Sequence, residues 1–116
     1  MGKVGRWITD PKAGAYCTIT FDSGEKVVVN HDKGGFKGGR LTIERLKLWG
    51  FSSDRIFDCD LDSQQGKAAL SFLTREAQAQ SLDATPLGAF VKYLKSCQSI
   101  GEVKARCTSL MAIPVR

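Results

Sequence analysis

The chain has 116 residues, the size of one domain, with 42% apolar and 25% charged residues, 12 glycines and 3 prolines. That composition argues against a multidomain enzyme and excludes a disordered or collagen-like chain. Seventeen Lys and Arg against 12 Asp and Glu leave a net charge of +5, which favours a polyanionic partner such as nucleic acid only weakly, since many soluble proteins carry as much. No apolar run approaches the ~20 residues that span a bilayer. The basic start Met1 to Arg6 is not followed by the hydrophobic segment of a secretory signal, so a cytoplasmic protein without membrane contact is expected. Cys17, Cys59, Cys97 and Cys107 match no short paired metal-ligand spacing and no redox Cys-x-x-Cys. They read as free, mostly buried thiols, with no metal and no cofactor.

The first 30 residues alternate with the period of two that marks strands. Val4 to Thr9 around Trp7 is one strand, Asp10 to Gly14 a loop, and Ala15 to Phe21 a second strand. Asp22-Ser23-Gly24 turns the chain back into a third strand over Glu25 to Asn30, so the segment reads as an antiparallel meander. His31 to Arg40 holds four glycines and four charges in ten residues, the composition of a loop. Thr42 to Trp49 suits a short helix capped by Thr42 and ended by Gly50, although the alternation of Leu41, Ile43 and Arg45 fits a strand as well.

Arg55 to Leu61 is a further strand, with Phe57, Cys59 and Leu61 opposite the alternating acids Asp58, Asp60 and Asp62. From Lys67 to Gln80 two periods compete. Ala68, Leu70 and Phe72 alternate, whereas Leu70, Leu73 and Ala77 among Ala, Gln and Glu suit a helix, which the local pattern favours. Thr85-Pro86 is a helix start, and Leu87, Phe90, Val91 and Leu94 place a helix over 86 to about 97. Ser99 to Glu102 forms a capping box for a second helix through Val103, Cys107, Leu110 and Met111. The two make a helical hairpin with Lys92, Lys95, Lys104 and Arg106 at polar positions. Its apolar stripe either packs within the chain or serves a dimer or protein partner.

Residues 1 to about 75 resemble a diverged cold-shock domain, the small nucleic-acid-binding version of the OB-fold. Gly2-Lys3-Val4-Gly5-Arg6-Trp7-Ile8 is similar to that family's opening G-K-V-K-W-F, with one residue inserted. Lys12 to Ile19, Asp22-Ser23-Gly24 and Lys26 to Asn30 follow its K-G-F-G-F-I, D-D-G and D-V-F-V-H, and Gly66 to Leu70 looks like its G-P-x-A-x-x-V. The resemblance implies that Lys67 to Thr74 is a fifth strand rather than a helix. The expected fold is therefore α+β: a small five-stranded antiparallel OB-like β-barrel with a C-terminal helical hairpin. Residues 1–75 would form the barrel, 76–85 a linker, and 86–116 a helical extension packing on the barrel or dimerising.

The family binds single strands by stacking bases on aromatics, and here Val28 and Asn30 stand where it has Phe and His. Trp7 and Tyr16 are left as the platform, unless they are core aromatics of the barrel. Lys3, Arg6 and Lys12 flank them, and Lys33, Phe36, Lys37 and Arg40 interleave an aromatic with cations in the glycine-rich loop. The expected function is non-enzymatic binding of single-stranded RNA or DNA with little sequence preference. The alternative is a protein-interaction adaptor using the barrel or the helices. The loop lacks the Gly-Lys-Ser/Thr of a P-loop, and His31 is the only histidine, with no spacing that pairs it with a cysteine for catalysis. Asp58, Asp60 and Asp62 read as a solvated edge or a divalent-cation site. Residues 1–75 hold 12 cations and 9 acids, and residues 86–116 hold 5 and 1, so the hairpin is the more basic part per residue.

Overall fold

The computed structural model describes residues 3, 4, 8–10, 14–32, 38–47, 53–81 and 85–115. In chain order these form β1 (Lys3–Val4), β2 (Ile8–Asp10), β3 (Gly14–Thr20), β4 (Lys26–Asp32), β5 (Arg40–Leu46) and β6 (Ser53–Asp60), then α1 (Gln64–Ala79), α2 (Pro86–Leu94) and α3 (Ile100–Met111). The four long strands β3 to β6 pair antiparallel in sequence order, and the short β1 and β2 both pair with β3 at its outer edge. The turn between β3 and β4 is the one expected at Asp22-Ser23-Gly24. Gly24 has φ +91°, and the turn closes with the Phe21 N–H on the Glu25 carbonyl at 2.9 Å.

The sheet is open, not a barrel. Among the described residues β6 pairs with β5 alone, and nothing joins it to β1 or β2. The strand expected to close the barrel, Lys67 to Thr74, lies inside α1. Ser63 caps this helix by accepting the Gly66 N–H at 2.9 Å, and its buried stripe is Gly66, Ala69, Leu73 and Ala77, the spacing of a helix. Ala68, Leu70 and Phe72, whose alternation suggested a strand, are only half-buried. The local pattern was the better guide here than the family resemblance. The helix expected from Thr42 is likewise replaced by β5. Thr42 is 4% exposed in the middle of the sheet, paired with Asn30 on one side and Asp58 on the other. With a partner strand on both flanks, the backbone bonds of residues 40–46 are satisfied by the ladder, and the Leu41/Ile43 alternation prevails.

The period of two buries one face. Cys17 and Ile19 of β3, Val27, Val29 and His31 of β4, Leu41 and Ile43 of β5, and Phe57 and Cys59 of β6 all turn towards the helices. A register shift between Ile43 and Glu44 sets Ile43 opposite Phe57 but Glu44 opposite Arg55, leaving Ile56 as the extra residue of a bulge. α2 starts as expected: Thr85 accepts the Gly88 N–H at 3.2 Å and Pro86 occupies the first turn. It buries Leu87, Ala89, Phe90, Val91 and Leu94, and Phe90, 0% exposed, meets the Phe57 ring at 5.5 Å between centroids. The apolar stripe of α2 is thus consumed within the chain. α3 starts at Ser99, which accepts the Glu102 N–H at 3.2 Å, while the Glu102 carboxylate takes the Gln98 N–H at 3.0 Å. The expected capping box forms with its return bond one residue earlier.

At Gly66 the first turn of α1 lies against the end of β6: a Cβ there would collide with the Asp60 carbonyl oxygen. Helix propensity favours Ala over Gly by about 1 kcal/mol, but backbone cannot yield as a side chain can. Gly66→Ala should therefore destabilise the fold by about 1–3 kcal/mol in urea melts. Gly101→Ala in the first turn of α3, where the nearest atom is Ser99 Oγ at 3.7 Å, should instead be neutral or stabilise by up to about 1 kcal/mol. Equal effects from the two would contradict the packing described.

Candidate nucleic-acid interface

On the face of the sheet turned from the helices, Tyr16, Thr18 and Thr20 alternate with the buried residues of β3 and are half-buried. Tyr16 pairs with Asn30, Asn30 with Thr42, and Thr42 with Asp58, one polar row across four strands. Val28 lies on this face beside Thr18.

Two connections leave the sheet at the Tyr16 end. Residues 11–13 run from Asp10 to Gly14, which pair with each other, and residues 33–37 run between Asp32 and Gly38. Ala15 pairs with His31, and Asp32 with Arg40, so the two connections start side by side. Of the residues expected to bind, Arg6, Trp7, Lys12, Lys33, Phe36 and Lys37 lie outside the described residues. Tyr16 and Arg40 share this end of the sheet. Lys3 does not: it pairs with Thr20, four positions or about 13 Å along β3 from Tyr16.

The base of the second connection is held from three sides. His31 donates from Nε2 to the Gly38 carbonyl at 2.9 Å, the tautomer a carbonyl requires. The Gly38 N–H donates to Asp62 Oδ1 at 3.0 Å, and the Leu61 N–H to the Gly39 carbonyl at 3.0 Å. Gly39 has φ +82°, and a Cβ there would stand 2.5 Å from the Asp32 carbonyl oxygen and 2.9 Å from His31 Nε2, so only glycine fits.

Arg40 is not a free phosphate ligand. Its Nε donates to Asp58 Oδ1 at 2.9 Å, and that bond and charge hold the guanidinium above its ordinary pKa. Asp58 also meets Arg55 at 3.3 Å, and Arg55 lies 3.9 Å from Glu44. Asp60 accepts the Asp62 N–H at 2.9 Å. The three alternating acids therefore serve in ion pairs and turns, and no cluster of three metal-binding side chains occurs among the described residues.

The helical layer is different. Lys67, Arg75, Lys92, Lys95, Lys104 and Arg106 are all exposed, whereas the ion pairs among the described residues lie in the sheet and its turns. Residues 1–63 carry 10 cations and 9 acids, and residues 64–116 carry 7 and 3. Arg106 of α3 donates to the Tyr93 carbonyl at 3.0 Å and to Ser96 Oγ at 2.8 Å, and sits 5.6 Å from the Tyr93 ring centre. Tyr93 donates back to the Arg106 carbonyl at 2.8 Å, and its ring meets Phe72 of α1 edge-on at 6.0 Å. In the sequence Lys92, Lys95 and Arg106 mark only polar helix positions, Phe72 only a strand-like alternation, and Tyr93 belongs to no motif. Their meeting depends on how three helices pack, which no local period encodes. No protein-family model, no curated protein and no solved structure matches the chain.

All four cysteines are free and buried, as expected. Burial raises the thiols of Cys59, Cys97 and Cys107, the last to about 12 with a further push from Cys97 and Cys59. A thiol that ionises at higher pH in the folded chain favours folding below the unfolded value near 9 and ceases to as pH rises towards 12. Stability should therefore fall between pH 9 and pH 12, by up to about 1.4 kcal/mol per unit for one fully shifted thiol. Cys107→Ala should make that decline shallower in urea melts at successive pH values. An unchanged slope would mean that Cys107 is not the group held back.

Proposed function

We propose that the protein binds single-stranded RNA or DNA with little sequence preference and catalyses no reaction. The observation that carries this reading is the separation of charge: a sheet in which Arg40, Arg45, Lys47 and Arg55 are paired with acids and Lys26 is not, under a helical layer with six exposed cations and no described ion pair. Unmatched cations attract phosphates by displacing condensed counterions. Tyr16 on the outer face of the sheet offers a ring for stacking. Four free thiols suit a reducing, cytoplasmic setting, and among the described residues no helix is long and apolar enough to cross a membrane.

One observation favours the second reading, a protein-interaction adaptor. The outer face of the sheet is electrically balanced through Arg40, Asp58, Arg55 and Glu44, which suits a protein surface better than a phosphate backbone. Titration of labelled oligo-dT and oligo-U by fluorescence anisotropy separates the two. With about three phosphate contacts on a single strand, a fourfold rise in salt should weaken binding about 20-fold. Tyr16→Ala should cost a further ~1–3 kcal/mol if bases stack there. No binding at low salt would leave the adaptor reading standing.

A further inference from the structure

Between the C-terminal halves of α1 and α2 and the flank of α3 lies a groove of about 670 Å³, whose walls include Phe72, Glu76, Lys92, Tyr93, Lys95 and Arg106. Its volume is within the range of small-molecule sites. We propose that this groove holds one nucleotide unit of the bound strand, its base against Phe72 and Tyr93 and its phosphate on Arg106, Lys92 and Lys95. The proposal rests on the nucleic-acid reading above and names the site that reading lacks.

Arg106 carries the argument. Its bonds to the Tyr93 carbonyl and Ser96 Oγ fix the guanidinium before any ligand arrives, so little side-chain entropy remains to be lost on binding. Those two bonds use two of five N–H donors and leave three for an anion. Among the described residues no carboxylate pairs with it, in contrast to Arg40. Lys92 in the last turn of α2 and Lys95 at its C-cap stand three positions apart, hence on one side of the helix end. Phe72 and Tyr93 are half-buried, so part of each ring remains available to a base. Phosphate cations beside aromatic surface are what single-strand recognition needs, and on the outer face of the sheet the one described cation outside an ion pair is Lys26, at the far end of β4 from Tyr16.

Opposing charge is present and smaller. Glu76 is the acid among the lining residues, and the C-terminal ends of α1 and α2 each present about half a negative charge. Glu102 is engaged with the Gln98 N–H at the start of α3. Three cations against Glu76 and two helix ends leave the groove attractive to an anion.

The test uses the whole chain and labelled oligo-dT at several salt concentrations. Lys92→Gln with Lys95→Gln, both at exposed positions, should weaken binding and lower the log–log salt slope by about 1.4, the share of two phosphate contacts. Phe72→Leu should weaken binding at least about fivefold with the slope unchanged, since stacking is not a counterion effect. Lys67→Gln with Arg75→Gln, on the other flank of α1, should change affinity far less. Thermal melts establish that each variant is folded. If the groove variants bind like the parent chain, or if both cation pairs weaken binding equally, the groove is not the site while the nucleic-acid reading stands. If the parent chain binds no oligonucleotide at low salt, that reading fails and the proposal with it.

Discussion

The fold depends on one burial: the apolar face of the sheet has to be covered, and α2 covers it. β3 to β6 present Cys17, Ile19, Val27, Val29, Leu41, Ile43, Phe57 and Cys59 on one side. An antiparallel sheet of this kind is stable with one face wet and the other packed. Phe90 sits fully buried against Phe57, and burying such a side chain contributes about 1.5–3 kcal/mol. Because α2 is buried through Leu87, Phe90, Val91 and Leu94, it reads as a core helix, and α1 and α3 meet its remaining surface. The open sheet follows from the same geometry: with helices on one face, β6 has no need to curl round to β1 to hide apolar side chains.

Wherever a local period and a local cap agreed, the sequence was legible. The β3–β4 hairpin, the Thr85-Pro86 start of α2 and the Ser99 start of α3 each combine a pattern with the residue that begins or ends it, and each stands where expected. Residues 67–80 show the opposite case. Their helical period was visible, and the similarity of Gly66 to Leu70 to a cold-shock strand outweighed it. What the similarity missed was Ser63, whose hydroxyl caps the helix, and Gly66, whose missing Cβ lets α1 lie against Asp60. Thr42 failed for a different reason, since a threonine before an apolar residue caps a helix only if no strand pairs with it, and β4 and β6 both do.

The candidate site was less legible than the fold. Tyr16 was identified from the resemblance and Arg40 from the mix of cations and an aromatic in the glycine-rich loop, and they do share one end of the sheet. Neutralisation of Arg40 by Asp58 was out of reach, because it joins residues 18 positions apart across a strand pair. The same holds for Arg106, Tyr93 and Phe72, drawn from three helices. Strand neighbours stand about 5 Å apart with side chains facing in register, so opposite charges on a sheet meet readily. Helix surfaces divide their charges among separate faces, and three helices with few acids leave cations unmatched. The +5 of the whole chain is therefore concentrated where pairing geometry is poorest.

The run Asp58, Asp60 and Asp62 shows why charge count alone misleads about a binding face. Asp58 is bound to Arg40 and Arg55, Asp60 closes the turn into α1, and Asp62 holds the Gly38 amide beside His31. These bonds tie the end of the β4–β5 connection to the start of α1, so each acid is held in place by the corner it builds. A polyanion approaching that corner meets three fixed carboxylates and an arginine already satisfied by one of them. At the helical groove it meets an arginine fixed by neutral partners, a carbonyl and a hydroxyl, which position the guanidinium without cancelling its charge. Both arginines are held by hydrogen bonds, and the charge of the oxygen that holds each decides how much of its own charge is left to attract a phosphate.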